Sequence, residues 1–342
     1  MKKIIILLTI LTLVGCSNNQ EKSRNIFYMD TYINVKIYTD NPNIDYIYDN
    51  INNIYKEYDN LCNRYDEYEN LVNVYYLNEI LKNDEEINID PKLSEIINYG
   101  LEYYSKTDGL FNIAIGNVSA IWKKYMEEKK SVPSIDELKN TQSININDIS
   151  LTNNIYKKRN GVKLDLGGLC KGYATETVGN YIESLGIKKY LINAGGNVKV
   201  GEHYNKDKYV IGIQHPENDT LLTKIKANNV SVVTSGDYQR YYEVSDVRYN
   251  HIINPKTLYP ANYSKGVTVI TSSSAYADIM STYLFLLNPS DAIKLVNSTD
   301  NLEAIIYVDE NTILKSEGFN KYEEKWLYPN INNYLNMHYN AI

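Results

Sequence analysis

Cysteine, tryptophan and phenylalanine are scarce in this sequence of 342 residues, which contains three, two and four of them respectively. So few cysteines exclude a small fold stapled by several disulfides, although a single Cys62–Cys170 bridge stays open. The four histidines lie far apart, at positions 203, 215, 251 and 338. A metal site of clustered cysteine and histidine is therefore not supported.

Positive charge is not in excess either. The formal net charge is −7 at pH 7, with 23% charged and 43% hydrophobic residues. This balance is typical of a globular protein. It argues against nucleic acid as a partner, because nucleic-acid binding needs a basic surface. A local site for an anion is still allowed, provided that a metal ion or a few cationic side chains hold it.

A long apolar run is missing from the N-terminus, where a shorter one stands. Residues 4–14 are apolar and follow Lys2-Lys3. A run of about 11 residues is too short to span a bilayer, and its basic front is typical of a signal peptide. Cys16 directly follows Val14-Gly15, which indicates a bacterial lipoprotein signal. The alternative is an ordinary cleaved signal with an incidental cysteine.

Lipidation would make Cys16 the new N-terminus, carrying acyl chains such as palmitate. Two or more such chains hold a protein stably at a membrane. We therefore expect a signal peptide over residues 1–15, a polar tether over residues 16–24, and a location on the extracytoplasmic face of the cell membrane.

The rest of the chain, residues 25–335, shows no internal repeat and no low-complexity linker, so we expect one domain. Strands and helices follow each other without regular βαβ alternation, which predicts an α+β fold of mixed sheets and packed helices. Hydrophobic spacing predicts helices over residues 42–64, 71–81, 91–107, 274–287 and 291–297, and strands over residues 25–38, 209–214, 222–226, 230–234, 267–271 and 304–308, with a polar surface excursion over residues 123–153.

Residues 163–197 form the most informative stretch, KLDLGGLCKGYATETVGNYIESLGIKKYLINAGGN. The pattern predicts a strand, a glycine turn carrying Asp165 and Lys171, a helix, a second strand and a Gly195-Gly196 turn. Glycine has no Cβ and lets the backbone approach a ligand, and the start of a helix favours anions. By itself this unit is a weak signal for a phosphate site.

Asp278 and Thr282 stand four residues apart on a predicted helix, so their side chains share one face. A carboxylate and a hydroxyl are hard oxygen ligands, which suit Mg²⁺. The alternative is a structural pair, in which Asp278 lies near a helix start and Thr282 bonds a backbone carbonyl.

His251 lies in a segment that is predicted to be a strand and is apolar on one side. It is either a structural histidine or a general base, since its pKa range suits proton transfer near neutral pH. Residues 234–238, TSGDY, predict a turn that hydrogen-bonds ligand or backbone. They lack the local signature of a serine nucleophile.

Seven short motifs in series resemble the ApbE-type lipoproteins, the FAD:protein FMN transferases. They fall in the order of that family over residues 25–310. The motifs are Met29-Asp30-Thr31, Gly109-Leu110-Phe111-Asn112, DLGGLCKGYATE, NAGGN, TSGDYQRYY, YNHIINPKT and YADIMSTYLF.

The resemblance implies a single ApbE-like, T-fold-related domain and a reaction. That family splits FAD and moves its FMN half onto a Ser or Thr hydroxyl of an acceptor flavoprotein, with Mg²⁺ as cofactor. It implies His251 as the base that deprotonates the acceptor. It implies metal ligation by Asp278, Thr282 and the backbone carbonyl of Gly168. The positions implied to contact FAD are Met29, Tyr65, Leu110, Phe111, Asn112, Asp165, Lys171 and Ile252.

Four positions depart from the pattern of the family. Asp30 stands where glycine is usual, Asn112 and Asn197 stand where aspartate is usual, and Leu258 replaces the glycine of a turn. None of them touches the metal pair or His251.

Two other functions share these features. The chain is alternatively a flavin- or solute-binding lipoprotein without catalysis, or an FAD pyrophosphatase that uses water in place of the protein hydroxyl. Asp278 and Thr282 argue against a simple receptor, which has no need of a metal beside the pyrophosphate. The sequence does not separate a transferase from a pyrophosphatase.

Overall fold

A computed structural model describes residues 21–324. The predicted signal peptide and Cys16 lie outside the described residues, as do residues 325–335 of the predicted domain. β1 begins at Glu21, so the last four residues of the predicted tether lie in a strand instead. Among the residues that the structure describes, no helix is both long enough and apolar enough to cross a membrane.

An antiparallel sheet of eight strands organises the fold, in the order β1-β2-β6-β7-β10-β13-β14-β15. Two hairpins, β8–β9 and β11–β12, and a small sheet in the order β3-β5-β4 complete the strands of residues 21–324. The strands are β1 (Glu21–Tyr28), β2 (Thr31–Tyr38), β3 (Glu86–Asn88), β4 (Ile149–Thr152), β5 (Ile155–Lys158), β6 (Tyr190–Ala194), β7 (Asn197–Val200), β8 (Tyr209–Gln214), β9 (Leu221–Ala227), β10 (Val230–Gly236), β11 (Tyr241–Val244), β12 (Val247–Asn250), β13 (Gly266–Thr271), β14 (Glu303–Asp309) and β15 (Thr312–Lys315).

Helices cover one face of the large sheet in two groups. The first group, with α1, α2 and α5, packs on the β2–β6 side, and the second, α6 and α7, packs on β10, β13 and β14. The β8–β9 hairpin covers part of the opposite face. The helices are α1 (Ile44–Cys62), α2 (Pro91–Lys106), α3 (Gly116–Glu128), α4 (Ile135–Lys139), α5 (Cys170–Ser184), α6 (Ser274–Leu286) and α7 (Pro289–Asn297), with shorter helical turns at Tyr76–Ile80, Ile146–Asp148 and Phe319–Lys321.

α6 lies at the centre of this arrangement. Ten of its residues are buried, including Asp278, and the helix contacts α5, β10 and β13. A helix that is apolar on nearly all sides is stable only inside a protein. Any polar group on α6 that faces α5 is therefore held in a fixed, poorly solvated place.

The α+β prediction is confirmed, and most predicted elements are found within a few residues of their bounds. The predicted strand over residues 25–38 is wrong, because it is a hairpin. β1 pairs with β2, and Met29 and Asp30 form the turn between them with φ of 53° and 56°. Positive φ at both central residues is the geometry of a two-residue hairpin turn.

Two further predictions need correction. Residues 163–166 form no strand, only an isolated bridge between Ile115 and Lys163. The polar excursion over residues 123–153 begins inside α3, whose buried residues are Gly116, Val118 and Trp122. Trp122 packs under the β11–β12 hairpin in a separate small core, which explains why so polar a helix is held.

Cys62 and Cys170 are joined by a disulfide across 108 positions of sequence. Cys62 is the last residue of α1 and Cys170 the first of α5. The bridge thus ties the start of α5, two residues after Gly168, to the end of α1. This resolves the question that the sequence left open.

Candidate active site

α5 and α6 meet without side chains between them at one point. A Cβ added to Gly172 would lie 2.5 Å from the Cβ of Asp278 and 2.5 Å from the carbonyl oxygen of Ser274. No real side chain tolerates such contacts, so glycine is required here for close approach. The backbone of α5 consequently touches the face of α6 that carries Asp278.

Asp278 is buried, with 5% of its surface exposed. Its Oδ2 accepts a hydrogen bond of 2.7 Å from the N–H of Gly172. Burial raises the pKa of this carboxyl, while Lys171 and the N–H of Gly172 act in the opposite direction. Oδ1 has no hydrogen-bond partner among the described residues. A buried carboxylate with one uncommitted oxygen is suited to a cation.

Thr282 lies one turn further along α6, near Gly168. A Cβ on Gly168 would be 3.3 Å from Oγ1 of Thr282. Within residues 21–324 that hydroxyl forms no hydrogen bond, so the structural alternative, a bond to a backbone carbonyl, is not observed. The sequence-predicted metal ligands are thus brought together at the α5–α6 contact.

These residues fit a hard divalent cation. The described part of the chain has no cluster of three or more His, Cys, Asp or Glu that would hold a metal by itself. Asp278, Thr282 and the Gly168 carbonyl would supply a few oxygens. Mg²⁺ commonly takes few protein ligands and fills the other positions with water and phosphate oxygens.

The glycine turn before α5 is shaped by Asp165. Its Oδ2 accepts hydrogen bonds from Arg64 and from the hydroxyl of Ser119, and its Oδ1 accepts one of 3.0 Å from the N–H of Gly167. Burial acts to raise the pKa of Asp165, but Arg64 and these donors together lower it. The carboxylate is therefore engaged by the protein, and its contact with FAD stays a prediction.

Arg64 and Ser119 were missed by the sequence analysis. Arg64 also donates to the Gly116 carbonyl at 2.7 Å. It is separated from Asp165 by 101 positions, and no local motif marks an ion pair between such distant residues. Its position just after α1, beside Cys62, is the only hint that the sequence offers.

His251 follows β12 directly, so its predicted place inside a strand is wrong. Its Nδ1 is 3.2 Å from the carbonyl oxygen of Arg240. A carbonyl only accepts, so Nδ1 carries the proton and Nε2 is left as the basic nitrogen. The residue is exposed at the surface, and desolvation by nearby protein groups nevertheless acts on its pKa.

This environment favours the neutral ring of His251. Desolvation by the surrounding protein lowers its pKa to about 4, with Arg240 and Lys171 as further cationic contributions. The imidazole is therefore neutral at pH 7, with Nε2 unprotonated. Lys171 lies in the first turn of α5, and its positive charge lowers the pKa of both His251 and Asp278.

The predicted flavin-contacting residues fall into two sets. Leu110, Phe111 and Ile252 are buried, and Phe111 packs close to Gly168. Met29 is partly buried against the first core, whereas Tyr65 is exposed. The N–H of Met29 donates to Asp59 at 2.9 Å, and the Tyr65 ring is 53% exposed.

Asn112 is engaged with the backbone of its own loop and of a neighbouring one. Its amide donates to the carbonyl of Ile144 at 3.0 Å and accepts from the N–H of Ala114 at 2.9 Å. Both ends of the side chain are thus engaged with the backbone. The structure shows a loop-stabilising role for Asn112, and its contact with FAD stays a prediction.

The fold is shared with solved ApbE proteins. The structure superimposes on the ApbE protein from Thermotoga maritima with a TM-score of 0.80 and 28% identity, covering 90% of this chain and 100% of that one. The flavinyl transferase ApbE from Pseudomonas stutzeri gives a TM-score of 0.77 at 21% identity, over 90% of this chain and 98% of that one.

Sequence relatives agree. The FAD:protein FMN transferase from Klebsiella pneumoniae is 31% identical over 61% of this chain and 66% of its own length. That from Buchnera aphidicola is 30% identical over 68% and 71% respectively. The chain therefore spans about two thirds of the length of these curated relatives. The ApbE family model matches residues 29–306. The chain belongs to the ApbE family.

Proposed function

We propose that this protein transfers the FMN half of FAD to a Ser or Thr hydroxyl of an acceptor flavoprotein. One observation carries the proposal: Gly168, Asp278 and Thr282 converge at the α5–α6 contact, with Lys171 beside them. The oxygen atoms of these residues suit a metal ion, and the positive charge of Lys171 suits phosphate. Together they suit a pyrophosphate that is bound with a metal ion. The family relatives carry the same activity in their names.

The chemistry balances as a simple displacement. The acceptor hydroxyl oxygen forms a bond to the phosphorus on the FMN side of FAD. The bond from that phosphorus to the bridging oxygen breaks, and AMP leaves with the electron pair. Nε2 of His251 takes the hydroxyl proton. Phosphoryl transfer of this type depends on positioning and charge stabilisation more than on covalent catalysis.

The side chains divide this work. Lys171 offers a positive charge at the start of α5, where unpaired N–H groups also favour phosphate. Leu110, Phe111 and Ile252 supply an apolar wall for a flat ring system. Mg²⁺, bound by Asp278, Thr282 and the Gly168 carbonyl, would neutralise charge that develops on the phosphate oxygens.

The proposal includes a place of action outside the cytoplasmic membrane. The lipoprotein-type N-terminus with Cys16 supports it. The Cys62–Cys170 disulfide supports it independently, because disulfides persist in oxidising compartments and are rare in the cytosol.

The test is to incubate the full chain with FAD, Mg²⁺ and candidate acceptor flavoproteins, and to weigh the acceptor by mass spectrometry. A gain of one FMN, with release of one AMP, is expected. Cleavage of FAD to free FMN and AMP without acceptor modification would indicate a pyrophosphatase. Binding of FAD without any cleavage would indicate a flavin-binding lipoprotein.

A further inference from the structure

The contacts that α6 makes with α5 and with the glycine turn before it repeat every four residues. This spacing places the successive α6 positions on one face of that helix. The first two contacts along the chain involve the candidate metal ligands. The third contact, nearest to the start of α6, is not part of the proposed site. The pairs are Gly168 with Thr282, Gly172 with Asp278, and Glu176 with Ser274.

The third pair fixes the start of α6. The carboxylate of Glu176 accepts a hydrogen bond from the N–H of Ser274, the first residue of α6. Helix starts have unpaired N–H groups and a partial positive charge, so a carboxylate stabilises them. Ser273 caps α6 locally through the N–H of Tyr276. Glu176 differs from that cap because it comes from another helix.

Glu176 is itself held by Lys199 of β7. The Nζ of Lys199 is 3.4 Å from Oε1 of Glu176 and donates to the carbonyl of Ser272 at 3.2 Å. Only 8% of the Lys199 side chain is exposed. Its stem lies against Gly179, where a Cβ would be 2.5 Å from Cε. The lysine stem is therefore packed against α5, and its Nζ lies between the Glu176 carboxylate and the Ser272 carbonyl.

We propose that Glu176, held by Lys199, is the positioning residue that sets the register of α6 against α5 and so places Asp278 and Thr282. α6 rises 1.5 Å per residue, so Asp278 lies about 6 Å beyond the capped Ser274. An error in the register of α6 moves both candidate ligands relative to the backbone of Gly168. This inference rests on the proposed cation-dependent function, whose ligands it serves.

The test compares Glu176→Gln with the wild type in the full chain. Glutamine keeps the length and an acceptor oxygen, but leaves Lys199 buried without its anion, which is costly. We expect Mn²⁺, used as a spectroscopic substitute for Mg²⁺, to bind about tenfold more weakly by electron paramagnetic resonance titration. In cation-free protein, the amides of residues 274–278 should exchange hydrogen faster. FAD transfer should fall in step with Mn²⁺ affinity.

Two variants sharpen this test. Glu176→Gln combined with Lys199→Met removes both charges while keeping the apolar stem, and Mn²⁺ affinity should return to within about threefold of the wild type. Glu183→Gln is the matched control, because Glu183 is also on α5 but accepts from the hydroxyl of Tyr190 on β6. It should leave Mn²⁺ binding unchanged.

The outcomes separate the two proposals. Wild-type Mn²⁺ affinity in folded Glu176→Gln, or no recovery in the double variant, overturns the positioning role even if flavin transfer is found. If Glu176→Gln weakens Mn²⁺ binding while the wild type transfers no flavin to acceptors, the positioning role stands and the proposed function fails.

Discussion

The α5–α6 contact and the exposed edge of the site are built in opposite ways. At the contact, glycines replace side chains, Asp278 is 5% exposed, and a backbone hydrogen bond of 2.7 Å holds it. At the edge, Asp30 and Arg240 approach to only 3.7 Å, with 77% and 55% of their side chains exposed. The contact is therefore preformed for a small charged group, whereas the edge is left open, as the proposed acceptor protein would require.

Asp278→Asn should have the largest effect of the substitutions that test the contrast between the contact and the edge. The variant keeps the shape and should lose at least about 1,000-fold in flavin transfer, because the proposed cation loses its only carboxylate. The pKa of Asp278 is raised in the fold, so its charge destabilises the fold above the unfolded carboxyl pKa. In cation-free buffer at neutral pH, Asp278→Asn should melt at a higher temperature than the wild type.

Calorimetry with and without Mg²⁺ checks this prediction. The melting temperature of the wild type should rise with Mg²⁺, and that of Asp278→Asn should not. In cation-free buffer, the higher melting temperature of Asp278→Asn relative to the wild type should fade as the pH falls and the Asp278 carboxyl of the wild type becomes protonated. Full activity of the variant would remove Asp278 from the site.

Gly172→Ala attacks the contact through its backbone. The added Cβ would meet Ser274 and Asp278 at 2.5 Å, so the two helices have to separate. We expect a loss of about 3 kcal/mol in the free energy of unfolding. Transfer should fall about 100-fold even where the protein is folded, because a small misplacement of reacting groups is costly. Denaturant titration and rate measurements test both, with Asn180→Ala, an exposed position of α5, as the control.

His251 tests the open edge. His251→Gln should lower transfer about 100-fold while FAD binding is kept, since only proton transfer is lost. The pKa of this histidine is lowered to about 4, so the wild-type rate should stay level as the pH falls through 6.5 and decline only nearer to 4. A pH profile of kcat/KM measures this. A decline centred near pH 6.5 would show that the pKa of His251 in the free enzyme is not lowered.

Asp30→Gly should have the smallest effect. The Asp30–Arg240 pair is exposed, and such pairs contribute between zero and about 1 kcal/mol. Glycine also accepts the positive φ of 56° without strain. The free energy of unfolding should change by no more than about 1 kcal/mol. The KM for FAD should stay within about twofold of the wild type. A large change in KM would mean that this edge grips the flavin.

The same contrast explains what the sequence could predict. Local spacing placed Asp278 and Thr282 on one helix face, and the bounds of α6 followed from its apolar run. The hairpin turn at Met29-Asp30 was missed because methionine is not typical of positive φ and no glycine follows Asp30 to mark a two-residue turn. α3 was missed because Lys123, Lys124, Glu127 and Glu128 crowd its exposed side, while its anchor Trp122 precedes them.

What sequence spacing could not supply is the pairing between distant segments. The touch of Gly172 on Asp278 and the grip of Arg64 on Asp165 each join residues about 100 positions apart. Such contacts depend on how whole helices pack, and the local pattern carries no record of it. Leu258, which replaces the glycine of a turn in the family pattern, concerns backbone conformation instead. It occupies a turn position with φ of 67°, which glycine would adopt without strain.

The bond between Cys62 and Cys170 has a consequence for maturation. A newly made chain carries two thiols at the ends of α1 and α5, and a reducing cytoplasm keeps them in that state. Closing the loop of 108 positions then waits for an oxidising compartment. If the protein is exported as proposed, the disulfide would form only after export. The protein would then become active after export rather than when it is synthesised.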